Sequence, residues 1–244
     1  MNWIFPIAGL GTRTSKLGPY KPLIEVLPDY SIMKLCLSGI KTMFSQDDNL
    51  FFILSEQQEA EHCVSSEIDL ILKDLNLKNN AHVLLLDNTP AGQALTIKAG
   101  VNKIPKILLS EKTFVINSDQ VVFFDMKDVN LNFPSVGIYF NKGKKSCFYD
   151  LDLEKQTIKQ IKEKQKISCY AAAGVFYFPT AIQLNKSIEW ALEKNKFHNG
   201  ELFLGPCMEY FQRIEYFQTL MKFDLGNVEK IELFKKFVEG INYK

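Results

Sequence analysis

The sequence predicts an α/β fold in which a mainly parallel, mixed sheet carries helices on both faces. In the first half of the chain, short apolar runs typical of buried strands alternate with stretches whose apolar residues recur at helical spacing. The resulting order is β-α-β-α-β-α-β, which is typical of parallel strands joined by crossover helices. The 244 residues, 46% of them hydrophobic, are sufficient for one substantial core.

The first half begins with a predicted strand at Asn2–Ala8, which runs into a glycine-containing loop. We expect three further apolar strands at Leu50–Leu54, His82–Asp87 and Thr113–Asn117. Apolar residues at helical spacing predict intervening helices at Ser31–Phe44, Gln57–Leu75 and Gly92–Lys103. Ser31 is a suitable N-cap for the first helix, because its hydroxyl can accept a hydrogen bond from a free backbone N–H.

The second half is richer in strands, which short, lysine-rich turns connect. Strands are predicted at Ser135–Phe140, Ser146–Leu151, Thr157–Ile161, Tyr170–Phe178 and Gln218–Phe223. Helices are predicted at Thr180–Lys194, at Glu201–Arg213 and from Val228 to about Gly240. The sequence has no internal repeat and no low-complexity segment, so we expect a single domain over residues 1–244.

Composition and charge exclude several classes of function. Lys and Arg number 29 against 28 Asp and Glu, so the totals lack the basic excess of a nucleic-acid-binding protein. No apolar stretch approaches the ~20 residues of a membrane span, and no basic residues precede the first apolar run as in a signal peptide. The five cysteines are scattered and never form a C-x-x-C pair. This usage favours a reducing cytoplasm over a disulfide framework or a zinc ribbon.

The most informative segment is the loop after the first strand, Ala8-Gly9-Leu10-Gly11-Thr12-Arg13, which is followed by Lys21-Pro22-Leu23. Glycines let backbone N–H groups approach phosphate oxygens, because no Cβ stands in the way. Arg13 adds a planar fork of donors and Lys21 a compact charge. Neither a Walker loop nor the three-glycine dinucleotide fingerprint is present.

This combination resembles the signature of nucleotidyltransferases that act on sugar phosphates, G-x-G-T-R followed by K-P-L. Later segments resemble the same family in the same order: Thr89–Ala94, Phe114–Asp119, Glu163-Lys164, Ala171–Phe178 and Phe223–Gly226. The resemblance implies a Rossmann-like fold of the nucleotide-diphospho-sugar transferase type. It also implies that residues 1–130 form the nucleotide-binding half and residues 131–244 the acceptor-binding half.

The family's functional residues correspond to specific positions of this sequence. The resemblance implies catalytic roles for Arg13, Lys21 and Asp119, and binding of Mg²⁺ by Asp119 and Asp224. For the nucleotide it implies contacts from Ala8, Gly9, Gly11, Thr12, Gly92 and Gln93. For the acceptor it implies contacts from Glu163, Lys164, Gly174, Asn199 and Glu201. Asn199 and Glu201 are equally explained as a turn followed by a carboxylate in the first turn of a helix.

The sequence also departs from the family pattern. Asn117-Ser118-Asp119 replaces the usual Gly-Asp, and Gln165 stands where proline normally follows the Glu-Lys pair. The loop from Arg13 to Lys21 is short. These departures bear on the identity of the acceptor more than on the type of reaction.

The implied chemistry explains why these residue types occur together. The nucleophile is a phosphate oxygen that is already mostly dianionic at pH 7, so no general base is required. None of the three histidines lies beside a motif. The difficulty is repulsion, since two unit charges ~4 Å apart cost roughly 4 kcal/mol at an effective dielectric of ~20. Arg13, Lys21 and Lys164 can offset this repulsion, and Mg²⁺ prefers the carboxylate oxygens of aspartates.

We therefore expect transfer of a nucleotidyl group from CTP, UTP or dTTP to a sugar 1-phosphate for surface polysaccharide assembly. One alternative is a cytidylyltransferase that acts on a non-sugar phosphate such as phosphocholine. A glycosyltransferase is disfavoured, because Asp119-Gln120-Val121 lacks the second aspartate of a D-x-D motif. A third alternative is a non-catalytic nucleotide-binding regulatory module. The sequence does not distinguish a monomer from a homo-oligomer, and we expect neither nucleic acid nor membrane as a partner.

Overall fold

The computed structural model describes residues 1–242, and within them a nine-stranded mixed sheet confirms the predicted α/β class. The strands are β1 Asn2–Pro6, β2 Glu25–Leu27, β3 Tyr30–Ser31, β4 Asn49–Ser55, β5 Asn80–Leu86, β6 Thr113–Ile116, β7 Gln120–Phe123, β8 Ser135–Phe140, β9 Cys147–Asp152, β10 Thr157–Glu163, β11 Tyr170–Phe178, β12 Glu215–Gln218 and β13 Met221–Asp224. The helices are α1 Ile32–Ile40, α2 Glu56–His62, α3 Val64–Asp74, α4 Gln93–Val101, α5 Ala181–Glu193, α6 Leu204–Cys207 and α7 Val228–Asn242.

The first half of the sheet is parallel, in the strand order β5-β4-β1-β6. The register pairs Asn2 with Thr113 and Ile4 with Val115, so β1 and β6 run side by side in the same direction. Their carboxyl ends therefore meet at one edge of the sheet. The glycine loop follows β1 at this edge, and Asp119 follows β6 there.

The second half of the sheet is mostly antiparallel. Strand β11 runs antiparallel to both β6 and β8, while β12 runs parallel to β8. The sheet continues through β10 to β9, and β9 bridges back to β11 between Phe148 and Ala171. Five strands, β11, β8, β12, β10 and β9, are thus linked in a closed circuit beside the parallel half.

Helices cover both faces of the sheet, as predicted from the alternating strands and helices. Trp3 and Phe5 of β1 pack with α1 and α3 on one face, while Ile4 packs with α4 and α5 on the other. Successive strand residues point to opposite faces, so both faces of β1 must be apolar. No helix within residues 1–242 is both long enough and apolar enough to cross a membrane.

Two predicted helices differ from the observed ones. The stretch predicted as one helix at Gln57–Leu75 is divided into α2 and α3 at Cys63, which adopts a left-handed backbone conformation. The helix predicted at Glu201–Arg213 is wrong, because the structure has only the four-residue α6 and a 3₁₀ turn at Met208–Tyr210. Gly and Pro are the weakest helix formers, and Gly205-Pro206 lies inside that stretch.

The strand predicted at Gln218–Phe223 is wrong as a single element. The chain leaves the main sheet at Thr219, whose N–H and hydroxyl both donate to the carbonyl of Ile138. It enters a second, two-stranded sheet at Leu220, whose N–H donates to the carbonyl of Phe123. Strand β13 then pairs with β7, which sequence reasoning missed, as it missed the short β2–β3 hairpin.

A buried carboxylate fixes the start of β1. Asp48 accepts hydrogen bonds from the indole N–H of Trp3 at 2.8 Å and from the backbone N–H of Ser45 at 3.1 Å. Trp3 is fully buried and Asp48 is 3% exposed, so water cannot replace the bond from the indole. We predict that Asp48→Ala lowers the free energy of unfolding by about 2–4 kcal/mol, since buried donors lose their acceptor.

Urea unfolding monitored by circular dichroism measures this change. The matched control is Asp47→Ala, which removes an exposed carboxylate from the preceding position and should stay within about 0.5 kcal/mol of wild type. Equal effects of the two substitutions would contradict the role assigned to Asp48.

Candidate active site

The glycine loop after β1 is attached at both ends to the body of the protein. The hydroxyl of Tyr20 donates to the carbonyl of Ile7 at 3.0 Å, and this bond is buried. The side chain of Gln58 donates to the carbonyl of Ala8 at 3.1 Å. Gln58 is itself held in a capping box with Ser55 at the start of α2. The loop therefore has fixed ends although Gly9 lies exposed between them.

Gly11 allows the segment at Lys21 to pack closely against the glycine loop. Its φ of +62° lies in the left-handed region, which favours glycine. A Cβ at this position would lie 2.9 Å from the Cβ of Lys21, closer than two carbon atoms can approach. Glycine is therefore required at this position, because any side chain would prevent Lys21 from packing against the loop.

Lys21 joins the loop to the end of β6. Its ammonium lies 2.6 Å from Oδ2 of Asp119, and both side chains are largely buried. Burial alone would raise the pKa of Asp119, but the charge and hydrogen bond of Lys21, together with the charges of Arg13 and Lys222, outweigh this effect. The pKa of Asp119 is consequently lower than usual, and this carboxylate is ionised at neutral pH.

Asp224 approaches Asp119 through the small β7–β13 sheet. The register pairs Asp224 with Gln120, and the backbone N–H of Leu225 donates to the carbonyl of Asp119 at 2.8 Å. A Cβ on Gly226 would lie 2.7 Å from Oδ1 of Asp224 and 3.2 Å from Oδ2 of Asp119. The two carboxylates therefore flank the space that a side chain at position 226 would fill.

This pair of carboxylates has the donor chemistry of a magnesium site. Both residues offer oxygen ligands, which a hard divalent cation prefers, and Gly226 leaves the space between them open. Lys21 and Lys230 are the present partners of Asp119 and Asp224, each at 2.6 Å. Within the described part of the chain, no third His, Cys, Asp or Glu joins them to make a three-residue metal cluster.

Arg13 and Thr12 lie on the outer side of the loop. They belong to a short 3₁₀ turn, Thr12–Thr14, and both side chains are exposed. Among the hydrogen bonds and ion pairs described for residues 1–242, none involves the Arg13 guanidinium. Its charge nevertheless acts on Asp119, so it lies on the same side of the molecule as the carboxylate pair.

Gly92 and Gln93, predicted to contact the nucleotide, are linked through Asn117 to Gly174, which is predicted to contact the acceptor. The amide of Gln93 donates to the side-chain oxygen of Asn117, and the backbone N–H of Asn117 donates to the carbonyl of Gly174 at 2.8 Å. Gly174 has a φ of +80°, and a Cβ there would lie 2.1 Å from the side-chain oxygen of Gln120. These three segments, Gly92-Gln93, Asn117–Gln120 and Gly174, therefore meet beside Asp119.

Glu163 and Lys164 lie at the end of β10. The ammonium of Lys164 lies 4.2 Å above the ring of Phe203, and its backbone N–H donates to the carbonyl of Ser146. Burial raises the pKa of Glu163, and the Cys147 thiol and the charge of Lys164 offset only part of this effect. Lys164 does not belong to the strand, because it has a φ of +53° just past the end of β10.

Asn199 and Glu201 belong to a tight turn rather than to the start of a helix. The backbone groups of His198 and Glu201 exchange two hydrogen bonds, of 2.9 and 3.1 Å. Asn199 and Gly200 both have positive φ, which is the type I′ pattern expected of Asn-Gly. The turn packs on Gly92, where an added Cβ would lie 3.3 Å from the Cβ of Glu201.

Sequence reasoning missed three residues of this region, Gln58, Lys222 and Lys230. Lys222 stands two positions before Asp224 in a strand, and residues two apart share a face. That spacing could have identified Lys222 as a neighbour of the carboxylates. The contact of Gln58 with Ala8 depends on how α2 packs against the loop, for which the sequence gives no local signal, whereas Lys230 lies only six residues after its partner Asp224.

No protein-family model matches the chain, and no curated protein sequence is similar to it. Solved structures are similar in fold. The nucleoside-diphosphate-sugar pyrophosphorylase from Vibrio cholerae RC9 gives a TM-score of 0.81 at 18% identity, over 95% of this chain and 98% of that one. A UDP-glucose pyrophosphorylase complexed with UDP-glucose gives 0.73 at 16% identity, over 98% of each chain.

The CTP:phosphocholine cytidylyltransferase from Streptococcus pneumoniae gives a TM-score of 0.65 at 13% identity, over 97% of this chain and 98% of that one. This chain has the fold of these proteins. The fold implied by the G-x-G-T-R and K-P-L segments is thereby confirmed. The likeness extends over nearly the full length of each chain, although the sequence departs from the family pattern at Asn117-Ser118, at Gln165 and in the short loop from Arg13 to Lys21.

The raised pKa of Glu163 predicts a pH-dependent stability. Below the ordinary glutamate pKa of about 4.3 the carboxyl is protonated in both the folded and unfolded states, so its burial does not lower the free energy of unfolding through ionisation. As the pH rises through the higher pKa of the folded state, ionisation is easier in the unfolded chain and folding stability falls. We predict that Glu163→Gln gains stability relative to wild type between pH 4 and pH 7.

Urea unfolding at both pH values measures the difference. Glu154→Gln, a substitution of an exposed glutamate, is the control and should follow wild type at each pH. If the relative stability of Glu163→Gln is unchanged or falls between the two pH values, burial does not govern this carboxyl.

Proposed function

We propose that this protein is a Mg²⁺-dependent nucleotidyltransferase. It would join the nucleotidyl group of CTP, UTP or dTTP to a phosphorylated acceptor, foremost a sugar 1-phosphate, and release pyrophosphate. The main support is the association of Lys21, Asp119 and Asp224, which three distant segments bring to one edge of the sheet. The likeness in fold to pyrophosphorylases and a cytidylyltransferase supports the same reaction type.

The reaction needs charge compensation rather than proton transfer. A phosphate oxygen of the acceptor forms a bond to the α-phosphorus, and the bond from that phosphorus to the bridging oxygen breaks. The electron pair of the broken bond leaves with pyrophosphate. Because the acceptor phosphate is largely dianionic at pH 7, it can act as the nucleophile without a base. The main barrier is the approach of two anions, which cationic side chains lower.

The chain offers a cation for each part of this reaction. Lys21 stabilises charge at the α-phosphate, and Asp119 orients it through the 2.6 Å ion pair. Arg13 is exposed and without an ion-pair partner among the described residues, so its donor fork is available for the departing phosphates. Lys164 positions the acceptor phosphate. Asp119 and Asp224 would hold Mg²⁺, which when bound supplies further positive charge to the phosphates.

The two halves of the chain divide the substrates between them. In this proposal residues 1–130 bind the nucleotide through the backbone of Ala8–Thr12 and through Gly92 and Gln93. Residues 131–244 bind the acceptor through Glu163, Lys164, Gly174, Asn199 and Glu201. The hydrogen-bonded chain from Gln93 through Asn117 to Gly174 supports a shared site at the boundary between the halves. If the acceptor is a sugar 1-phosphate, the protein would act in the cytoplasm and contribute to surface polysaccharide assembly.

A cytidylyltransferase that uses a non-sugar phosphate is the second candidate. It is supported by the likeness to the CTP:phosphocholine cytidylyltransferase and to an inositol-1-phosphate CTP transferase from T. maritima, which has a TM-score of 0.67 at 15% identity. It requires the same cations and carboxylates and differs in the base and the acceptor. A profile restricted to CTP would support this second candidate.

Pyrophosphate release tests the proposed reaction directly. We predict Mg²⁺-dependent release when the protein is incubated with each nucleoside triphosphate and a panel of phosphorylated acceptors. Arg13→Ala and Asp119→Asn should each lower turnover by about 10²-fold or more, since each removes a preorganised charge. Circular dichroism should show that both variants remain folded. No release from any pair of substrates, or near-normal turnover in either variant, would contradict the proposal.

The space beside Gly226 provides a separate test of the carboxylate pair. We predict that Gly226→Ala lowers turnover by about 10²-fold, because the new Cβ displaces the carboxylates from their working positions. Thermal unfolding should show that the variant remains folded. Gly240→Ala is the control, since a Cβ there meets no other atom within 4 Å, and it should leave turnover unchanged. Equal activity of the two variants would show that the space between the carboxylates is not used.

A further inference from the structure

A cleft of about 670 Å³ opens beside Asp224, between the β8–β9 loop and helix α7. We call it the lysine cleft. Its lining combines basic and aromatic side chains, including Lys144, Lys145, Lys222, Phe223 and Phe234. Its volume is within the range of small-molecule sites, which are usually mostly apolar with a few charged groups.

The lysine cleft adjoins the candidate active site, because Asp224 and its neighbours belong to its lining. Lys222 and Asp224 are two residues apart in β13, and both line the cleft. Ser146 also belongs to the lining, and its carbonyl accepts the backbone N–H of Lys164 at 2.9 Å. A molecule in the cleft would therefore lie against the proposed metal carboxylate and beside the segment that carries the proposed acceptor-binding lysine.

The charge in the lysine cleft is unbalanced. Of the residues that the structure describes, four lysines line it, and Asp224 is the only carboxylate in its lining. Lys230 pairs with this carboxylate at 2.6 Å. Lys144, Lys145 and Lys222 have no carboxylate within 4 Å among the ion pairs of residues 1–242. Three cations around one cleft are more than one phosphate group requires, particularly where Lys164 is already available for that phosphate.

The aromatic side chains do not form a site for a cationic ligand. The ammonium of Lys222 lies 4.1 Å above the ring of Tyr139, so this aromatic face already has a cation. A quaternary ammonium beside Phe223 and Phe234 would also be repelled by the unpaired lysines. The rings instead offer apolar surface to the uncharged part of a ligand.

We propose that the lysine cleft binds the body of the phosphorylated acceptor and that this body carries a second acidic group, a carboxylate or a further phosphate. The inference rests on the proposed nucleotidyl transfer and specifies its acceptor. Lys144 and Lys145 bind the second acidic group, Lys222 lies between that group and the reacting phosphate, and the aromatic wall contacts the remainder. An acceptor with a cationic body, such as phosphocholine, is disfavoured.

Binding of matched phosphates in the absence of nucleotide tests this assignment. Isothermal titration calorimetry compares glucuronic acid 1-phosphate with glucose 1-phosphate, 3-phosphoglycerate with glycerol 3-phosphate, and phosphocholine alone. We expect the acid-bearing member of at least one pair to bind about tenfold more tightly, as one additional charge-assisted contact provides. Phosphocholine should bind more weakly than the preferred acid.

The double variant Lys144→Met/Lys145→Met should reduce that preference to less than about threefold, because the exposed loop loses its two charges. The control Lys155→Met/Lys159→Met removes the same net charge from exposed lysines outside the cleft and should retain the preference. The proposal is overturned if no acid-bearing probe binds more tightly than its partner, if phosphocholine binds best, or if the double variant keeps the full preference.

The pyrophosphate assay on the same samples separates this inference from the proposed reaction. Pyrophosphate release without any preference for acidic acceptors would contradict the inference about the cleft but would support the proposed nucleotidyl transfer. A preference lost in the double variant, with no release from any nucleotide, would instead contradict the reaction and retain an anion-binding cleft.

Discussion

The ion pair between Lys21 and Asp119 joins two segments that are 98 residues apart in the chain. It forms because parallel strands β1 and β6 deliver their following loops to the same edge of the sheet. It also depends on Gly11, whose missing side chain lets Lys21 cross the loop closely. Largely withdrawn from water, the pair gives Asp119 a stable negative charge around which Arg13 and Lys222 are arranged. Without Asp119, the cations around this edge of the sheet would share a single carboxylate, Asp224, which already pairs with Lys230.

The charges around that pair consist of two carboxylates and a larger number of cations. Asp119 and Asp224 supply the negative charge on either side of Gly226, and Lys21, Lys222 and Lys230 surround them. Polyphosphate substrates carry several negative charges, so a site with more cations than carboxylates is suited to them. The carboxylates keep the lysines apart and oriented, which is the preorganised arrangement that the proposed nucleotidyl transfer requires.

The sequence permitted prediction of the parallel half of the sheet, because Asn2–Pro6, Asn49–Ser55 and Thr113–Ile116 are apolar on both faces. It also permitted prediction of the Ser31 cap, whose hydroxyl accepts from the N–H of Lys34. The switch between sheets at Thr219 was not predictable, since it depends on distant carbonyls at Ile138 and Phe123. Lys222 was predictable in part, because it stands two positions before Asp224 in β13, but the sequence did not indicate that this strand leaves the main sheet.

The two-residue passage at Thr219-Leu220 constrains how this chain can diverge. These two residues are the whole connection between β12 of the main sheet and β13 of the small sheet, and both are held by hydrogen bonds. An insertion or deletion of a single residue there would reverse which face each residue of β13 presents, because side chains alternate along a strand. The side chains of Lys222 and Asp224 would then both point away from the candidate active site. Homologous chains should therefore vary in length at most surface turns but keep the same residue count between the two sheets.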